Sequence, residues 1–187
     1  MRLGKLAAAL AAVVFSMGAL AQETAKAPGH FYAGGGYGQS HWSPGCPSSA
    51  ATCDNTGASV HAFGGWQLNN HFAGEIAFTN LGKATGTNTE VKGHAWEASL
   101  LAGWPLSGSA SVYGRLGIYR GVVKGGGMFA NHTETNYYAT YGIGAQMDFT
   151  QNLGARLEWQ KFPGLAGSSI IDNDVTIISL SAFWRFR

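Results

Sequence analysis

The chain has 187 residues, 45% hydrophobic and 12% aromatic with 28 glycines, but only 12% charged and with a formal net charge of +2. So small a net charge gives no argument for nucleic acid or any other polyanion as a partner. So few charges also fall short of what the surface of an ordinary soluble domain carries.

At the start, Met1-Arg2-Leu3-Gly4-Lys5 places two positive charges before the apolar run Leu6 to Leu20. Ala19-Leu20-Ala21 ahead of Gln22 has the small-x-small pattern of a signal-peptidase site. The run is shorter than the roughly 20 residues a spanning helix needs. Residues 1–21 are therefore expected to be a signal peptide and residues 22–187 one mature domain. No later segment is long enough for a membrane helix. An exported chain of this composition has the profile of a β-barrel membrane protein.

Cys46 and Cys53, the only cysteines, fall among turn formers between Trp42 and Cys53. In an oxidising compartment they are expected to form a disulfide, which over so short a loop contributes about 2.5 kcal/mol by chain entropy. His41 with the two thiols would make an incomplete metal set, and His30, His61, His71 and His94 lack a ligand spacing. Neither metal nor cofactor is expected.

From Phe31 onward the pattern alternates with period two and punctuates itself with turns. Strands are predicted over Phe31 to Ser40, Ala58 to Leu68, Phe72 to Leu81, His94 to Trp104, Ser111 to Val122, Thr135 to Phe149, Gly154 to Gln160 and Asp174 to Phe186. The glycines of the first leave room for large side chains opposite. In the fourth, Trp96, Ala98, Leu100, Ala102 and Trp104 share one face, with aromatics about 27 Å apart, or nearer 20 Å when tilted. In the seventh, Ala155, Leu157 and Trp159 oppose Arg156, Glu158 and Gln160.

Long polar connections (Ser40 to Gly57, Gly82 to Lys92, Val123 to Glu134, Pro163 to Asn173) alternate with short ones (Asn69-Asn70, Pro105 to Ala110, Thr150 to Asn152). The expected fold is all-β, an eight-stranded antiparallel up-and-down transmembrane β-barrel, with long loops outside the cell and both termini in the periplasm. Glu75, Glu97, Arg115, Arg156 and Glu158 all sit mid-strand on the less apolar face. A lipocalin-like soluble barrel would turn the apolar face inward and need many more outer charges. An outward Arg at mid-membrane would cost about 2–4 kcal/mol, so these charges are expected inside and lipid outside.

Ala62-Phe63-Gly64-Gly65-Trp66-Gln67-Leu68-Asn69, Gly74-Glu75, Leu81-Gly82, Gly103-Trp104-Pro105, Tyr113-Gly114-Arg115-Leu116-Gly117, Ala155-Arg156-Leu157-Glu158-Trp159-Gln160 and Trp184-Arg185-Phe186 resemble, in order, the strand motifs of the OmpA transmembrane barrel family. The resemblance implies an outer-membrane barrel with a polar, water-pocketed interior. Glu75, Arg115, Arg156 and Glu158 match interior charged residues of that family. With Glu97 and Gln146 they make the candidate interior network, Glu75 with Arg156 its expected pair. A basic residue on the family's fourth strand falls on Leu101, which disfavours a partner-swapping gate. The sequence stops at Arg187, ahead of the family's proline-rich linker and peptidoglycan-binding domain, so no cell-wall anchoring is expected from these residues.

The leading expectation is a non-enzymatic integral protein of the outer membrane, in contact with its lipid and lipopolysaccharide, supporting envelope integrity and surface or host interactions through its loops. A narrow porin-like channel gated by the Glu/Arg interior is the alternative. A third is a lipid-A-modifying acyl enzyme using Ser40-His41 or His132-Thr133, for which no third catalytic member is recognisable. Asn131-His132-Thr133, Gly34-Gly35-Gly36 and Gly125-Gly126-Gly127 carry no further chemistry in this context. A closed barrel has no free edge demanding a partner, so the oligomeric state stays open.

Overall fold

A computed structural model describes residues 29–43, 53–86, 89–127, 133–166 and 173–186. Eight long strands run in chain order: β1 (His30–Ser43), β2 (Thr56–Gln67), β3 (Phe72–Gly86), β4 (Thr89–Pro105), β5 (Ala110–Gly127), β6 (Thr133–Asp148), β7 (Leu153–Ala166) and β8 (Asn173–Phe186). Two further residues, Cys53–Asp54, carry β2 past Asn55. Each strand pairs antiparallel with the next, and β8 pairs with β1 from Phe186↔Phe31 to Asp174↔Ser43. The sheet is a closed up-and-down barrel of eight strands, and the described residues contain no helix.

One end carries three tight turns, each pinned by a side-chain oxygen. Asn69 Oδ1 accepts from the amides of His71 (2.8 Å) and Phe72 (2.9 Å), Ser107 Oγ from Ala110 (3.1 Å) and Thr150 Oγ1 from Leu153 (2.9 Å). The four other connections lie at the opposite end, called here the hairpin end.

Along the middle of each strand, apolar side chains point outward and polar or small ones inward, as the alternation predicts. Ile76, Ile118, Ile143 and Leu180 are each 63–65% exposed on the outer wall. Aromatic side chains border this belt: Trp66, Trp104, Trp184 and Phe186 toward the turns, Tyr37, Trp96 and Tyr137 toward the hairpins. A continuous apolar wall would drive aggregation in water, so its solvent is lipid. Leu116, 52% exposed mid-belt, gives a direct test. Leu116→Arg is expected to weaken the refolded barrel by about 2–4 kcal/mol in denaturant titrations in bilayers, whereas a loss under 0.5 kcal/mol would mean the wall faces water.

The structure departs from the sequence reading at the hairpin end. Segments expected as loops are largely strand: β3 continues to Gly86, β4 starts at Thr89, β5 reaches Gly127, β6 starts at Thr133, β7 reaches Ala166 and β8 starts at Asn173. The physical reason is an inversion of the pattern. Beyond the belt, the inward residues Trp42, Leu81, Ala84, Val123, Phe162, Leu165 and Val175 are apolar and buried. The outward residues Asn80, Lys83, Lys92 and Lys124 are polar and exposed. There the barrel is built as in a soluble protein, so a pattern keyed to apolar-outward strands reads it as loop. Two bulges, between Asn80 and Lys83 in β3 and between Phe162 and Ala166 in β7, carry Gly82 (φ 72°) and Gly164 (φ 69°), a backbone region that glycine adopts without strain.

Candidate functional site in the barrel lumen

The lumen is stacked in three layers. Toward the turns lie Tyr32, Phe63, Ala73, Ala77, Leu101, Tyr113 and Phe183. Toward the hairpins lie Trp42, Leu81, Ala84, Ala95, Tyr119, Val123, Phe162, Leu165, Val175 and Ile177. Between them runs the charged layer, contributed by β3, β4, β5 and β7.

Arg115 on β5 is its hub. Its Nη2 lies 2.5 Å from Glu75 Oε1, its Nη1 2.6 Å from Glu97 Oε1, and its Nε 3.0 Å from Glu158 Oε1. Nη1 also donates to Ser99 Oγ at 3.2 Å. Arg156 on β7 takes the other side of Glu75, with Nη1 to Oε2 at 2.6 Å, and donates from Nε to Gln146 Oε1 at 3.0 Å. Neutral donors add to the network. Tyr32 donates to Glu75 (2.9 Å), Tyr113 to Glu158, Ser99 to Glu97 (2.9 Å), and Gln160 Nε2 to Glu97 Oε2 (2.6 Å). Three carboxylates and two guanidiniums are thus held away from water, a state tolerable only with this density of partners.

The Arg156 guanidinium carbon sits 5.0 Å from the ring centroids of Tyr32, Phe63 and Phe183 and 5.4 Å from that of Tyr113, an aromatic cage around a cation. Glycines make space for it. A Cβ at Gly65 would collide with the Tyr32 ring, one at Gly144 with Tyr113, and one at Gly154 with Phe183. In β1, a Cβ at Gly34 would meet the Phe63 ring and one at Gly36 the His61 ring, whose Nε2 lies 3.1 Å from Ser181 Oγ.

All six candidate network residues point into the lumen. Glu75, Glu97, Arg115, Arg156 and Glu158 meet in one cluster, while Gln146 lies toward the turns, joining Arg156 to Asp148 (3.4 Å). Glu75 contacts Arg156, but equally Arg115, so it bridges two cations rather than pairing with one. Leu101 packs in the turn-side apolar layer. The sequence reading did not assign Tyr32, Tyr113, Ser99, Gln160 or the caging phenylalanines to the site. Their signal was their inward parity opposite glycine.

The other candidates do not assemble. Ser40 is buried and donates to the Leu81 carbonyl (2.7 Å), while its neighbour His41 is on the outer face, so the two form no nucleophile and base pair. His132, Asn131 and Cys46 lie outside the described residues, as do the signal segment and the predicted disulfide. Among the described residues no group of His, Cys, Asp or Glu could hold a metal.

Comparison with known proteins agrees with this architecture. Residues 7–186 match the outer membrane protein beta-barrel domain family. "Outer membrane protein A" of Shigella flexneri is 27% identical over 97% of this chain and 56% of its own length, and that of Salmonella typhi is 27% identical over 97% and 55%. The chain thus spans little more than half the length of these curated relatives. Among solved structures, neisserial surface protein A aligns with a TM-score of 0.61 at 15% identity, over 87% of this chain and 100% of that one. The attachment invasion locus protein Ail of Yersinia pestis, crystallised with the heparin analogue sucrose octasulfate, aligns at 0.57 and 18%, over 84% and 99%. By its family match, its closed eight-stranded sheet and its lipid-facing wall, the chain belongs to the outer-membrane-protein β-barrel family, as an OmpA-like integral protein of the outer membrane.

Proposed function

We propose that this barrel is a non-enzymatic structural element of the outer membrane, anchored in its lipid and lipopolysaccharide, that supports envelope integrity and offers its hairpins to surface or host ligands. The observation that carries this reading is the filled lumen. A charged layer without a vacant acid or base is sandwiched between two apolar layers. Among the described residues, the acids and bases of that layer are engaged with one another rather than poised beside a nucleophile. The hairpin end, taken to face outside, is then the part of the molecule left to meet partners.

The narrow-channel reading rests on the charges alone, and the two apolar layers weigh against it. Planar-bilayer recording separates the two. The refolded chain is expected to give no steady unitary conductance, and Glu75→Ala is expected to stay silent because the hairpin-side apolar cluster, which supplies none of that carboxylate's partners, remains in place. Stable openings in either protein would favour the gated channel.

A further inference from the structure

Two hollows in the lipid-facing wall join into one oblique furrow. The lower, of about 660 Å³, is lined by Ala102, Gly114 and Ala145 with Trp104 and Trp159 at its borders. The upper, of about 520 Å³, is lined by Gly38, Gly57 and Ala58 with Tyr37, Gln39 and Thr56 around them. Leu157 and Ile178 line both, so one hollow opens into the other. The strand ladder sets the direction. A row of directly opposed residues runs from Ala102 on β4 through Gly114, Ile143, Trp159 and Ile178 to Gln39 on β1. Ala102 stands near the turn end of its strand and Gln39 near the hairpin end of its own, so the row climbs across the apolar belt. Its floor is open at Gly114, where a Cβ would meet nothing within 4 Å.

The chemistry changes along the climb. The lower part is apolar, and its one charged lining residue, Glu158, turns its carboxylate into the lumen toward Arg115. At the upper mouth stand the Gln39 amide and the Thr56 hydroxyl, beside the ring of Tyr37, which is 64% exposed. The carboxylate of exposed Asp54 closes the mouth, its Oδ1 accepting from the Thr56 amide at 3.1 Å. The row above, Thr56, His41, Thr176 and Lys161, holds one permanent cation, and Lys161 is already paired with Asp174 at 2.7 Å. An anionic headgroup would meet Asp54 there without a cation to spare, whereas hydroxyl and amide groups find both donors and acceptors, with an aromatic face for a sugar ring. The length fits one chain. Strands about 4.8 Å apart make the row from Gln39 to Gly114 about 19 Å long. One leaflet is half of a roughly 30 Å hydrocarbon core, about 21 Å along a path inclined at about 45°.

We propose that this furrow holds a glycolipid of the membrane, one acyl chain lying from Ile178 down to Gly114 and an uncharged sugar seated among Gln39, Thr56, Asp54 and Tyr37. The occupant follows from continuity with the lipid-facing wall, since the medium that enters an apolar hollow in the belt is acyl chain. This deepens the functional reading above and rests on it for a barrel that anchors in lipid as a structural element.

The test uses the full chain refolded in a polyoxyethylene detergent, which carries neither sugar nor charge, with native mass spectrometry as the readout. Diacyl glucosylglycerol and phosphatidic acid with the same two acyl chains are the probes. Wild type is expected to retain one glucosyl lipid at least fivefold more tightly than phosphatidic acid. Gly114→Leu, which fills the floor, is expected to weaken the glucosyl lipid at least fivefold. Gly74→Leu is the matched control: its Cβ also meets nothing within 4 Å, but Gly74 lines neither hollow, so binding is expected to stay unchanged. Q39A/T56A is expected to bring the two lipids within twofold of each other. Heat-dependent gel mobility reports that each variant is folded, and the comparison of two lipids on wild type needs no variant at all. A wild-type preference below fivefold, a Gly114→Leu protein that binds as wild type does, a Q39A/T56A protein that keeps the preference, or a dimer of the chain that Gly114→Leu disperses would each overturn the proposal. Bilayer recording on the same protein separates it from the reading beneath it. Steady openings with the preference intact overturn the filled-lumen reading alone; a silent barrel without the preference overturns the furrow alone.

Discussion

Replacing Arg115 with Met is expected to cost the refolded barrel about 3–5 kcal/mol in a denaturant titration, among the largest losses available to a single substitution in this chain. The side chain is 5% exposed and touches Glu75, Glu97 and Glu158 at once. Its removal leaves three carboxylates sharing Arg156, which contacts only Glu75 among them. Buried charge without a partner must then protonate or draw water into the lumen. Arg115→Lys is expected to rescue little, because one ammonium cannot reach positions that the guanidinium spans with three nitrogens. Adding Glu97→Gln to Arg115→Met is expected to recover part of the loss, since one orphaned charge disappears with it. A single Met variant within 1 kcal/mol of wild type would mean that water already compensates these acids.

Phe162→Ala is expected to cost about 3–5 kcal/mol as well, for an unrelated reason. Phe162 is fully buried at the hairpin end, its ring packed edge-on against Tyr119 with centroids 5.1 Å apart. Tyr119 is in turn held by a hydrogen bond to the Pro163 carbonyl (2.6 Å). Truncation opens a cavity in this side-chain cluster that cannot collapse, because a closed barrel fixes its own diameter. The same urea series decides whether this end is a packed core or a set of loose connections. In the second case the substitution would cost less than about 1 kcal/mol, the range typical of sites outside a packed core.

Much of the barrel was legible in the chain because the membrane part obeys one rule. Residues such as Ile76, Leu116 and Ile178 must face lipid, so Glu75, Arg115 and Ser179, one place along, must face the lumen. That rule yields strand count, direction and the inward set. It failed beyond the belt, where the outer solvent becomes water and Leu81, Val123 and Leu165 turn inward with Lys83 and Lys124 outside. The alternation persists there, but its sense is reversed, and polar residues beside glycine look like loop.

The charged cluster divides in the same way. Parity assigned Glu75, Glu97, Arg115, Arg156 and Glu158 to the interior, because a charge on the lipid side is too costly. Which cation meets which acid is a matter of strand register, stagger and side-chain reach across the lumen. Those quantities join β3 to β5 and β7, strands that share no backbone pairing. The sequence by itself therefore determined the closed, lipid-facing barrel and the inward side of each strand, since both follow from local alternation and solvent. Only the tertiary structure decided that Arg115 is the hub, that four aromatic rings cage Arg156, and that a glycine bulge sets three lysines in one row, because these depend on residues from 9 (Lys83 to Lys92) to 124 (Tyr32 to Arg156) positions apart being brought together on the barrel.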